Sequence, residues 1–212
     1  LWLQTYRPEL VSESPLARIA MENGNRIGEA ARTIYPGGTL IDTTDMRAAL
    51  ARTRAALAEH PDRPLFEGTF EHQGVLIRAD ILVPGEDGAH LIEVKGSASV
   101  KDYHLADAAI QAWVVRAAGL PVRTVSVAFA DKAFRYAGNG DYAGLIKPTD
   151  VTRAADALAP QIGQWAAAAR ATLAGPEPDI QCGSQCKDPY VCPFLAHCTA
   201  RESVPADYPL DD

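Results

Sequence analysis

Apolar positions recur along the chain with two periods, and the switches between them lay out the elements. Leu16, Ile19, Ala20, Ile27, Ala30, Ala31 and Ile34 fall at helical spacing, which predicts a first helix closed by Pro36-Gly37-Gly38, with Glu22, Arg26 and Glu29 on its polar side. Cap residues at 42–44 open a second helix that runs to His60-Pro61. The period then falls to two, and strands are predicted over 65–71, 75–83 and 90–95. A helix over 102–118 follows, with Leu105, Ala109, Ala112, Trp113 and Arg116 on one side and His104, Asp107 and Gln111 on another. A strand over 122–130 and a long helix capped by Asp150, running through Leu173 with a kink at Pro160, complete the pattern. This order predicts an α/β fold in which helices flank a central sheet. Trp2, Trp113 and Trp165 read as packing residues.

Residues 78–96, RADILVPGEDGAHLIEVKG, read as a β-hairpin around the turn formers of 84–89. With Pro84 opposite Ala89, the register pairs Leu82 with Leu91, Asp80 with Glu93 and Arg78 with Lys95. Cross-strand neighbours of this kind have Cβ atoms about 4.5 to 5.5 Å apart. Alternation places Arg78, Asp80, Glu93 and Lys95 on one face, and Val75, Ile77, Ala79, Ile81, Val83, Ile92 and Val94 on the other, so one face is expected to be core and the other a polar site. Two adjacent carboxylates repel, and the flanking cations offset this only in part. A divalent cation is the natural third member, and oxygen-only ligands favour Mg2+ or Mn2+ over zinc. A solvated, salt-bridged hairpin face is the competing reading.

The chain of 212 residues, 47% apolar, is long enough for one main domain with a small appendage. A net charge of −7 argues against broad nonspecific nucleic-acid binding but leaves room for a local basic groove. No GxxxxGK[ST] loop occurs, and no membrane span or signal peptide is visible, so a cytoplasmic protein without a membrane partner is expected. The chain starts at Leu1 without a methionine, which points to a natural N-terminus further upstream.

The linker 175–178, Gly-Pro-Glu-Pro, leads into a cysteine-rich end. It divides residues 1–174, the expected main domain, from a small lobe over 175–212. All four cysteines lie there, as Cys182-x3-Cys186-x5-Cys192-x5-Cys198. An iron-sulfur cluster, a structural zinc ion and two disulfides compete. The spacing fits zinc knuckles loosely, disulfides lack any other sign of secretion, and the Cys192-Pro193 step suits a four-thiolate cubane. His197 is a possible substitute ligand.

Taken in order, Gly24-x3-Gly28-Glu29, Ala79-Asp80-Ile81, Glu93-Val94-Lys95, Gln111 and the terminal cysteines with Pro189-Tyr-Val-Cys-Pro-Phe194 resemble the PD-(D/E)XK nuclease superfamily. The resemblance is to its RecB-like branch with a C-terminal iron-sulfur staple, which includes CRISPR-associated exonucleases and the AddB nuclease domain. It implies a restriction-endonuclease-like core with a 4Fe-4S lobe held by Cys182, Cys186, Cys192 and Cys198. It also implies a Mg2+- or Mn2+-dependent deoxyribonuclease, exonucleolytic or end-processing, that hydrolyses phosphodiester bonds with a metal-activated water. Asp80, Glu93 and the Val94 carbonyl would hold the metal, Glu29 would support its shell, Lys95 would position or activate water, and Gln111 would orient the site. Tyr103 and His104 are candidates to contact DNA, and Glu67 to approach the metal from behind; ordinary polar-face residues are the alternative. The implied partners are DNA, single-stranded or at its ends, and a helicase or another repair or defence protein. A noncatalytic nucleic-acid-binding or adaptor module that keeps the fold and cluster is the rival. Many relatives carry histidine at the position of Gly28 and proline at that of Ala79. Some draw one cluster cysteine from upstream of the core, so Cys186, Cys192 and Cys198 carry over more directly than Cys182.

Overall fold

The computed structural model describes residues 1–12, 15–97 and 99–202; the side chain of Leu16, expected on the first helix's apolar stripe, lies outside the described residues. The chain forms two compact units, Ala20–Ala166, and Leu1–Ile19 with the described residues from Ala167 onward.

The larger unit is an α/β arrangement built on a mixed six-stranded sheet in the order β1-β2-β3-β4-β5-β6. These strands are β1 Thr39–Leu40, β2 Leu65–His72, β3 Val75–Val83, β4 Ala89–Lys95, β5 Val122–Ala130 and β6 Ile146–Asp150. The β1/β2 and β4/β5 pairs are parallel and the other three antiparallel. The helices are α1 Trp2–Tyr6, α2 Pro15–Thr33, α3 Met46–Glu59, α4 Asp102–Ala117, α5 Thr152–Ala174 and α6 Leu195–Glu202. α3 bridges β1 to β2 and α4 bridges β4 to β5, as parallel pairing demands. Asp45 caps α3, its carboxylate accepting from the N–H groups of Arg47 and Ala48 at 2.9 and 3.1 Å. Between β2 and β3, Gln73 and Gly74 both adopt positive φ, 49° and 76°, the backbone a two-residue type I′ hairpin needs.

The sequence reading omitted the edge strands β1 and β6. β1 is two residues long, and β6 contains Pro148, which only an edge strand tolerates. Other corrections concern packing. Ile19 is 52% exposed and Trp165 38% exposed, so neither is a core residue.

Both faces of the sheet are covered, against the expectation of one core face. One cluster joins Leu65, Phe70, Ala79, Leu82, Leu91, Val125 and Val127 to Ala49 and Ala56 of α3, Ala108, Ala112 and Val115 of α4, and Ile162 of α5. The second joins Phe66, Ile81, Ile92 and Ala128 to Ala31 of α2. Ala79 and Ile81 therefore serve opposite faces, as do Phe70 and Phe66. Strict alternation would keep each pair together, so both strands reverse their facing at one level, that of Glu67 and Asp80.

Candidate active site

Glu67 and Asp80 stand opposite each other between the pairs Phe66↔Ile81 and Gly68↔Ala79, and neither is part of a ladder pair. Glu67 has φ 57°, a left-handed backbone that is uncommon without glycine and costs on the order of 1–3 kcal/mol. Its carboxylate accepts from Arg32 of α2 at 3.2 Å.

The β3/β4 ladder has the expected register, Ile81↔Ile92, Leu82↔Leu91 and Val83↔His90, and then stops one step short of Asp80 and Glu93. Beyond it β4 stays with β5, where Lys95 pairs with Phe129. Asp80 Oδ2 accepts instead from the Val94 N–H at 2.7 Å. The side chain thus replaces the ladder where two carboxylates would otherwise face each other.

Glu93 is 6% exposed and both its oxygens are occupied. Oε1 accepts from Lys95 Nζ at 2.6 Å, and Oε2 from Gln111 Nε2 of α4 at 2.5 Å. Lys95 also bonds Asp107, one turn before Gln111 on the same helix. The expectation that Asp107 and Gln111 share a side of α4 is met, and that side meets β4. Gln111 is 4% exposed, and its Oε1 is buried without a donor.

Glu29, Glu67, Asp80, Glu93, Val94 and Lys95 all line one cavity of 550 Å3, with Arg32 and Arg78 on its wall. Glu29 is exposed at this wall. A Cβ built on Gly24 or Gly28 would meet nothing within 4 Å, so these two residues leave the α2 side of the cavity open. Arg32, which ion-pairs inside the site, was missed in the sequence because nothing in a helical arginine's spacing tells which strand it will meet. A larger depression of 990 Å3 at the start of α5 has no comparable chemistry. Its Asp150 caps Thr152 N–H at 2.8 Å and its Asp156 pairs with Arg116 at 2.7 Å.

Burial pushes the Asp80 carboxyl up to about 6, with the Glu67 charge adding to it and the Val94 N–H and Lys95 opposing. Burial, followed by the charges of Asp80 and Asp107, holds Glu93 well above the usual carboxylate range. Burial pulls the Lys95 ammonium down, but Glu93 and Asp107 outweigh it and the net shift is upward. The Asp80 shift has a stability consequence. Folding tightens its proton binding, so that stabilisation is complete below the ordinary value of 3.8 and is lost as pH rises through about 6. Asp80→Asn, which removes the ionisable group but keeps an acceptor for Val94, is expected to stabilise the metal-free protein by roughly 3 kcal/mol above about pH 7 and by nothing below about pH 4. Urea unfolding across that range measures it.

Carboxylates and a backbone carbonyl are the ligand types of a hard divalent cation. An ion here would relieve the Asp80–Glu93 repulsion. The donor set therefore fits Mg2+ or Mn2+, although among the described residues no group of three or more His, Cys, Asp or Glu side chains is arranged to hold a metal.

The two helix residues expected to touch DNA lie elsewhere. His104 is 2% exposed and its Nδ1 accepts from the Lys101 N–H at 3.2 Å, which makes it part of the start of α4. Tyr103 packs edge-on against it at 4.4 Å, with the Lys101 ammonium 5.6 Å from its ring, and is not part of the cavity wall. A serine–histidine pair also occurs, His90 Nε2 to Ser126 Oγ at 2.8 Å, with Asp150 opposite Ser126 in the sheet. Ser126 is 2% exposed, so it offers no nucleophile to a substrate.

In the smaller unit, Cys182, Cys186, Cys192 and Cys198 line a single cavity of 280 Å3. The Cys192 N–H donates to the Cys186 carbonyl at 2.9 Å, and the Cys198 N–H to that of Phe194 at 3.0 Å. Trp2 Nε1 donates to Gly175 O at 3.0 Å and the Tyr6 hydroxyl to Leu173 O at 2.7 Å, tying the N-terminal helix into this unit. Phe194 is its only buried residue among those described. Burial raises the Cys182 and Cys198 thiols, and neighbouring cysteines add to the effect. The Nε2 of His197 is buried without a partner. Among the described residues no helix is long and apolar enough to cross a membrane.

No protein-family model matches the chain, and no curated protein matches it closely.

Proposed function

We propose that this chain is a divalent-metal-dependent deoxyribonuclease of the PD-(D/E)XK type, acting as an exonuclease or at DNA ends. The observation that carries the reading is the meeting of Asp80, Glu93 and Lys95 on one cavity, with Asp80 bonded to the N–H of the residue between the other two. Asp80, Glu93 and the Val94 carbonyl would hold Mg2+ or Mn2+, with Glu29 at the wall and Gln111 behind. When bound, the ion neutralises phosphoryl charge and lowers the pKa of water. The remaining work belongs to side chains. Lys95 brings a fixed positive charge toward a phosphoryl oxygen or the attacking water, Asp107 and Glu93 hold that ammonium in place, and Gln111 fixes the Glu93 carboxylate. Arg32 and Arg78 add positive charge to the wall on which a phosphate would rest.

Among the described residues the smaller unit has one buried side chain, too little for an apolar core, so we assign its four cysteines to a 4Fe-4S cluster that holds it in shape. Preference for ends, and association with a helicase or with repair or defence proteins, follow from the family resemblance.

The test is degradation of end-labelled single- and double-stranded DNA by anaerobically purified protein with Mg2+, Mn2+ or EDTA, beside Asp80→Ala. Metal-dependent cleavage that vanishes in the variant supports the nuclease. DNA binding without cleavage under every metal condition replaces it with the adaptor reading, and cleavage unaffected by Asp80→Ala removes the assigned site.

A further inference from the structure

β4 and β5 run parallel, so they end on the same side of the sheet, and substrates of such sheets bind beyond those ends. Lys95 closes β4 opposite Phe129, about 4.8 Å away across the ladder. Two residues after Phe129 the chain enters the loop 131–145, which returns as β6 with Ile146 opposite Ala130. The loop thus rises one strand away from the lysine.

Its own bonds shape it. The Asp131 N–H donates to Leu145 O at 2.7 Å across its base, and the Leu145 N–H to Tyr142 O at 2.9 Å. The Gly140 N–H donates to the Tyr136 hydroxyl at 2.8 Å. Positive φ at Gly138, Asn139 and Gly140 (99°, 57° and 72°) turns the chain so that two tyrosines meet. Their rings stack, with centroids 5.1 Å apart and planes 17° from parallel. Tyr136 nevertheless remains 54% exposed, an expensive way to place an aromatic ring if its only task were to pack against Tyr142. Lys147 neutralises Asp131 at 2.5 Å, and Asp141 caps the Ala143 N–H at 2.9 Å. Lys132 and Arg135 are exposed and form no ion pair among the described residues, with the Arg135 guanidinium held on the carbonyls of Lys132 and Phe134. A chain of net charge −7 here presents two unpaired cations beside an open aromatic face.

We propose that the 131–145 loop is a stacking platform for single-stranded nucleic acid, Tyr136 taking an unpaired base while Lys132 and Arg135 meet the adjoining phosphates. This inference rests on the nuclease reading for what the strand is led to, and it supplies that site with a preference for unpaired substrate. A duplex keeps its base faces stacked inside, whereas any unpaired base can cover a tyrosine.

The experiment is fluorescence anisotropy of dye-labelled single-stranded oligothymidine with the full chain, in buffer without divalent ions so that nothing is cut. Stacking on one ring is worth about 1–3 kcal/mol, so Tyr136→Ala is expected to weaken binding by about 5- to 150-fold. Tyr136→Phe, which keeps the ring but loses the Gly140 contact, is expected to bind like the wild type. Equal binding by wild type and Tyr136→Ala overturns the proposal, as does wild type that binds no oligonucleotide. The nuclease reading fails separately: cleavage indifferent to Asp80→Ala removes it even where Tyr136→Ala weakens binding, and an unchanged Tyr136→Ala affinity removes the platform even where Asp80→Ala abolishes cleavage.

Discussion

Lys95→Ala is expected to reduce DNA cleavage by about 10²- to 10³-fold or more, the usual consequence of deleting one preorganised positive or donating group at a developing charge. The effect should fall on kcat at saturating DNA, because this ammonium is positioned by Glu93 and Asp107 before substrate arrives. The same substitution removes the ion-pair partner of a carboxylate that is 6% exposed. Breaking a buried pair in this way costs about 3–5 kcal/mol when both charges are fully desolvated; with the Lys95 side chain 23% exposed, about 2 kcal/mol is expected. Glu93→Gln in the same background relieves the orphaned charge, so the double variant should recover much of the stability and none of the activity. Steady-state cleavage and urea unfolding separate the two effects. If Lys95→Ala cleaves at the wild-type rate, lysine has no part in the chemistry.

Cys186→Ser is expected to abolish the visible absorption of the anaerobically purified protein and to open the smaller unit to proteolysis. With Phe194 the only buried side chain among the described residues there, little else described opposes unfolding of this segment. Structural zinc contributes about 10 kcal/mol or more to the folding of small zinc-finger peptides, and if the proposed cluster acts in the same way, one serine could not restore its loss by hydrogen bonding. Limited proteolysis, read by mass spectrometry, should find cuts between Pro178 and Leu195 that the wild type lacks. A colourless wild type containing one zinc per chain would replace the cluster with a structural zinc ion. Cys186→Ser with unchanged colour and protease resistance would remove Cys186 from the ligand set.

The elements of the larger unit were legible in the sequence wherever a period was long and bounded. Strand 122–130 was expected at the bounds it has, and the hairpin register followed from Pro84 and the turn it begins, because pairs in an antiparallel ladder keep a constant sum. Asp80, Glu93, Lys95 and Gln111 were legible as a group through their types and order, and they share one neighbourhood. Periodicity alone could not give the reversal of facing at Glu67 and Asp80. It depends on a residue in left-handed conformation and on a ladder that opens where two carboxylates would oppose, and neither changes the count of apolar positions. For the same reason the face expected to be a polar site proved to carry a second apolar cluster as well: a period of two says that a strand has two different faces, not that one of them lacks apolar packing.

Residues brought in from other elements were decided by packing. Arg32 meets Glu67 across 35 positions and Asp107 reaches Lys95 across 12, whereas His104, on the expected side of the helix, turns inward to the start of α4. A helix face in the sequence lists candidates, and only its seating on the sheet selects among them. The sequence by itself determined the order of the long elements, the hairpin register and the kinds of charge at its open end, because these follow from local periodicity and turn chemistry, whereas the edge strands β1 and β6 did not show in it. Tertiary structure decided which of those charges are desolvated and which side chains hold them, because burial and long-range contact are properties of the assembled sheet.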